Sequence, residues 1–62
     1  MFKFVKKYGE CEVEVTDDDM YLGLMFLSSD ELSNEEVLTE CQQWLDDRNL
    51  TDVEYKVFIE IH

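Results

Sequence analysis

Apolar and polar residues alternate strictly over residues 11–16, where Cys11, Val13 and Val15 interleave with Glu12, Glu14 and Thr16. A period of two belongs to a half-buried strand. Residues 2–7 form a second short run before it, and Tyr8-Gly9-Glu10 between them holds a glycine able to take the positive φ of a hairpin turn. An N-terminal β-hairpin is expected. The next apolar segment, residues 20–27, contains only one residue that is not strongly apolar, Gly23, and its periodicity does not separate helix from strand. Thr16 or Asp17–Asp19 could cap a helix here, with acids at the positive end of its dipole. Shortness, Tyr21, Phe26 and the cost of about 1 kcal/mol for a glycine inside a helix favour a third strand, which is the reading adopted.

Residues 33–47 are the clearest helix. Ser33 and Glu36 have the spacing of a capping box, with Leu32 and Val37 placed as a hydrophobic staple. Val37, Leu38, Cys41, Trp44 and Leu45 then recur on one face. Arg48 suits the negative end of the dipole and Asn49 a left-handed cap. Residues 52–61 are the clearest strand, with Val53, Tyr55, Val57, Ile59 and Ile61 on one side and Glu54, Lys56, Phe58 and Glu60 on the other. The expected fold class is α+β: a small antiparallel sheet made of the hairpin, a third strand and a C-terminal strand, with one amphipathic helix packed across one face. With 62 residues, no proline and no internal repeat, residues 1–62 read as a single domain.

Charge changes this picture more than composition does. Sixteen acidic residues face five basic ones, a net charge of −11. Lys3, Lys6 and Lys7 precede every acid, so from Tyr8 onward two cations stand against sixteen acids, a balance of −14. Such a field repels nucleic acid and anionic lipid and attracts cationic protein surfaces. The expected partner is a basic, nucleic-acid-binding protein, with no direct contact to nucleic acid or membrane. The one basic-aromatic stretch, residues 2–8, reads as an outer strand whose lysines discourage edge pairing. No signal-peptide pattern and no run of 18 apolar residues occurs, which points to the cytoplasm, that of a host cell if the chain is phage-encoded. Cys11 and Cys41, both at core-facing positions, are expected to be reduced structural thiols.

Chemistry-bearing patterns are sparse. His62, the only histidine, is the last residue and reads as a solvated end, so no Ser/His/Asp or Cys/His set can be assembled. A calcium loop starting at Asp18 would place Met20 and Leu22, which lack side-chain oxygens, at ligand positions. Gly9 and Gly23 are too far apart for a phosphate loop. The chain is expected to be no enzyme and to hold no cofactor or metal.

The acids themselves are the candidate site. Glu12 and Glu14 point the same way along a strand, about 6.6 Å apart, with Glu10 in line if the strand starts early. That spacing is similar to successive phosphates along one DNA strand, and carboxylates on rigid elements can occupy phosphate sites of a DNA-handling protein. Asp17, Asp18 and Asp19 form a second group, and Glu36 and Glu40, among the helix acids, a third. In size and charge the chain resembles the small acidic inhibitors that phages encode against host nucleases, restriction systems, CRISPR effectors or polymerases; the resemblance implies a DNA mimic that blocks its target. The competing expectation is a small regulatory adaptor or subunit. It would use an apolar patch around residues 20–27, made of Tyr21, Gly23, Met25 and Leu27 or of the alternate set, to bind a partner or a second copy as a homodimer.

Overall fold

The computed structural model describes residues 1–60; Ile61 and His62, and the expectations attached to them, lie outside the described residues. Five elements follow in order: strands β1 (Phe2–Lys6), β2 (Glu12–Asp17) and β3 (Met20–Phe26), helix α1 (Asn34–Asp46) and strand β4 (Tyr55–Ile59). Among the described residues no helix is long and apolar enough to cross a membrane. The α+β class holds: a four-stranded sheet ordered β3-β2-β1-β4 carries one helix on one face.

One pairing differs from a wholly antiparallel sheet, since β1 and β2, and β2 and β3, are antiparallel but β1 and β4 are parallel. Chain direction requires this. Two hairpins and a returning helix leave β4 running the same way as β1 and β3, and those are the only strands with an edge still open. As a result β1 lies inside the sheet, not at its edge, and its lysines guard no edge.

Both hairpins close on residues of positive φ. Gly9 has φ 74° in the first turn, where the Glu10 N–H donates to the Lys7 carbonyl, and Asp18 has φ 53° in the second, a region aspartate tolerates better than most residues. The capping box of α1 is complete: Ser33 Oγ accepts from the Glu36 N–H at 3.2 Å and Glu36 Oε1 from the Ser33 N–H at 3.1 Å. At the other end Asn49 takes φ 59° and Arg48 donates to the Trp44 carbonyl, its guanidinium 3.8 Å from the Trp44 ring centre.

The core lies between the helix and one sheet face. Phe4, Val13, Val15, Met25 and Leu27 meet Val37, Cys41 and Leu45, spaced four apart on α1. Phe4, fully buried on the inner strand β1, receives Trp44 and Tyr55 edge-on at 5.7 and 6.0 Å, and Tyr55 Oη accepts from Gln42 Nε2 at 2.7 Å. Lys6 is buried on this face as well, which charge alone does not foretell. Its stem continues the Phe2-Phe4 row while its ammonium reaches the Lys7 carbonyl at 3.3 Å.

β3 contains a register shift. Gly23 stands opposite Val15 and Tyr21 opposite Thr16, so Leu22 is the extra residue of a bulge. Gly23 takes φ 125°, and a Cβ there would meet nothing within 4 Å. Backbone conformation, not space, demands glycine at this position. Gly23→Ala is therefore expected to destabilise the domain by about 1–3 kcal/mol in urea denaturation although it clashes with nothing; an unchanged midpoint would show that the bulge relaxes freely.

Cys11 is half-buried and Cys41 buried, both unpaired by a disulfide. Burial, assisted by the neighbouring Glu40 charge, pushes the Cys41 thiol up to about 12, which keeps it protonated and unreactive. Titration of the native protein with a disulfide reagent at pH 8 should modify Cys11 well before Cys41, which reacts only on unfolding. Two equally fast thiols would contradict this placement.

Candidate functional site

A single helix covers one side of the sheet and leaves the other open. The side chains on the open face follow from the registers. One row across it reads Lys56, Lys3, Thr16, Tyr21, the next Phe58, Val5, Glu14, Leu24, and Glu12 then stands beside Phe26. Val5, Lys7, Glu10, Glu12, Glu14 and Leu24 line one shallow depression of this face.

The arrangement is a column of carboxylates flanked by apolar groups. Glu12 and Glu14 are carried by β2, and Glu10, just before the strand, continues their line. On one side stand Tyr21, Leu24 and Phe26, all exposed; on the other are half-buried Val5 and exposed Phe58. Lys7, which follows the Lys6–Val13 pair, lines the same depression as the glutamates, while Lys3, opposite Thr16, sits over the Phe58 ring, 5.7 Å from its centre. Among the described residues the carboxylates of Glu10, Glu12 and Glu14 have no hydrogen-bond or ion-pair partner. Like charges about 6.6 Å apart along one strand repel, and the one cation lining the same depression, Lys7, forms no ion pair with them among the described residues.

The other candidate acids are not brought to this face. Asp17 and Asp18, at the β2–β3 turn, bind the Met1 ammonium at 3.3 and 2.8 Å, and the Asp18 hydrogen bond raises the pKa of that amine. Asp19 is exposed beside them. Glu36 and Glu40 belong to α1, on the opposite side of the sheet, and both act within the fold. Glu36 completes the capping box, whose hydrogen bonds to the Ser33 backbone and side chain lower its pKa. Glu40 accepts from the Ser28 N–H and hydroxyl at 3.3 and 3.1 Å, tying the loop after β3 to the helix.

Of the apolar segment, Met25 and Leu27 are buried, Gly23 is half-buried in the bulge, and the alternate positions Leu24 and Phe26 face outward. Tyr21 joins them because the extra residue Leu22 reverses the alternation. Phe58 joins them from β4. The sequence pointed to both the acidic row and the apolar segment but not to their meeting, because a strand's pattern shows that it has two faces and not which one a helix will cover. Among the described residues no cluster of three metal-binding side chains occurs. Comparison with protein-family models, curated proteins and solved structures finds no match.

Proposed function

We propose that the chain is a non-enzymatic binding module whose open sheet face docks on a basic protein surface, in the manner of an inhibitor that occupies the nucleic-acid site of its target. The observation that carries this reading is the column of Glu10, Glu12 and Glu14, without ion-pair partners among the described residues, between exposed Leu24 and Phe26 on one side and Phe58 on the other. β2 fixes the backbone of Glu12 and Glu14 and the direction of their side chains, so only rotamers remain to be ordered when a cationic partner arrives. The flanking aromatic and aliphatic groups supply the apolar contacts that anchor an interface, while the overall charge of −11 accelerates encounter with cations. Asp17–Asp19, Glu36 and Glu40 contribute to the field and not to the contact.

The exposure of Tyr21, Leu24 and Phe26 supports a second reading, an adaptor that binds through apolar surface alone with its acids serving solubility. Salt separates the two, since a charged interface weakens steeply with ionic strength and an apolar one does not. The test is a pull-down from host lysate with graded salt elution and duplex-DNA competition, followed by affinity measurement on the recovered protein. Under the proposed function the captured protein binds DNA, DNA displaces the chain, and Glu12→Lys with Glu14→Lys weakens binding at least roughly tenfold, about 1.4 kcal/mol, with circular dichroism unchanged. Salt-resistant capture indifferent to both DNA and the charge reversal would overturn it in favour of the adaptor.

A further inference from the structure

The two edges of the sheet are built differently. β4 carries Lys56 and is flanked by Glu54 and Glu60, charges that discourage strand addition. β3 spans seven residues, MYLGLMF, without Asp, Glu, Lys, Arg or proline. In a chain of net charge −11 it is the edge a second copy can approach without setting carboxylate against carboxylate.

The free hydrogen-bonding groups of that edge can be located. The Leu27 N–H donates to the Cys11 carbonyl at 2.8 Å, and Val13 lies opposite Met25. Antiparallel ladders alternate, so Met25 also bonds toward β2, while Leu24 and Phe26 direct their N–H and C=O groups away from it. No described strand lies beyond β3. The bulge, itself a device against pairing, disturbs only Leu22 and Gly23; from Gly23 to Phe26 the register with β2 is regular.

We propose that two copies of this chain pair their β3 strands antiparallel through these groups of Leu24 and Phe26. The product is one eight-stranded sheet, twice the four strands of a single copy. Leu24 of each copy lies opposite Phe26 of the other, a cross-strand apolar pair on the open face. The surface suffices: Phe26 is 69% exposed and Tyr21 60%, alongside exposed Met20, Leu22 and Leu24. At about 150–250 Å² per aromatic ring, pairing removes on the order of 1,000 Å² in all, the threshold of a specific interface.

A two-fold axis perpendicular to the sheet keeps both open faces on the same side. The two carboxylate columns then lie three strand spacings apart, about 14 Å, and run in opposite directions, as the two phosphate strands of a duplex do. This consequence rests on the proposed binding function; the pairing itself does not.

Sedimentation equilibrium tests it. The weight-average mass of the wild-type chain should rise toward twice the chain mass over micromolar concentrations, and more readily at about 0.5 M than at about 0.05 M salt, because screening relieves repulsion between the copies. Leu24→Lys, and independently Phe26→Lys, should hold the mass at one chain with an unchanged circular dichroism spectrum. Phe58→Lys, on the same face but away from β3, should associate like the wild type, and the chain carrying Glu12→Lys and Glu14→Lys at least as readily, since lower net charge relieves repulsion between the copies. A wild type that stays at one-chain mass up to about 1 mM overturns the proposal. So does association that survives both β3 substitutions in folded protein, or that Phe58→Lys abolishes, which would indicate face-to-face packing. A wild type that is monomeric yet binds its target through Glu12 and Glu14 overturns the pairing alone and leaves the binding function standing.

Discussion

The architecture follows from one shortage, that of cover for the sheet. Four strands at about 4.8 Å spacing present a surface about 14 Å wide between the outer strand axes, and a helix is about 10–12 Å across. One helix of 13 residues can bury most of one face and none of the other. The shortest extent of the molecule, 15 Å, leaves no room for a third layer. The core is consequently concentrated where helix and inner strands meet, on Phe4 and the two aromatic edges directed at it from Trp44 and Tyr55. The opposite face is largely exposed because no described element packs on it.

This shortage gives the acids their meaning. A domain of this size is stabilised by a small margin, and a charge of −11 erodes that margin through self-repulsion. Several carboxylates offset the cost by work within the fold: Glu36 at the helix start, Glu40 on Ser28, Asp17 and Asp18 on the Met1 ammonium. Glu12 and Glu14 do no such work. Their paired cross-strand neighbours are Phe26, Val5 and Leu24; Lys7 lines the same depression without an ion pair to either, and Lys3 is turned to Phe58.

Legibility in the sequence varied with the range of the interaction involved. The helix was legible because its signals, the capping box, the staple, the Val37-Cys41-Leu45 stripe and the Asn49 cap, are all local, although Leu38, expected on the same face, is exposed. The parallel pairing of β1 with β4 was not read from the strand patterns, although counting chain reversals would have required it. The interior place of β1 and the burial of Lys6 depend on which strand β4 joins, a contact across more than fifty residues that no local pattern encodes. Of the candidate acids, Glu12 and Glu14 were legible as a pair from alternation alone. Their union with Phe26, Leu24 and Phe58 was not, because it depends on the face α1 selects. The roles of Glu40 and of Asp17 and Asp18 come from partners distant in sequence, Ser28 and Met1, and were hidden for the same reason.

The bulge in β3 connects the shortage of cover to the composition of the open face. With strict alternation Tyr21 would fall on the helix side with Gly23 and Met25, and the open face would carry Met20, Leu22, Leu24 and Phe26 from this strand. The extra residue shifts the pattern, so that Tyr21 comes to stand outward opposite Thr16, in line with Leu24 and Phe26. The shift requires a backbone conformation open to glycine alone, at Gly23. A regular strand would avoid this conformation, and a Cβ at position 23 would meet no neighbour within 4 Å. The chain instead keeps a glycine, an irregular ladder and an outward tyrosine. The bulge thereby exchanges an aliphatic position for an aromatic one beside the carboxylate column, at the cost of a glycine conformation and an irregular ladder.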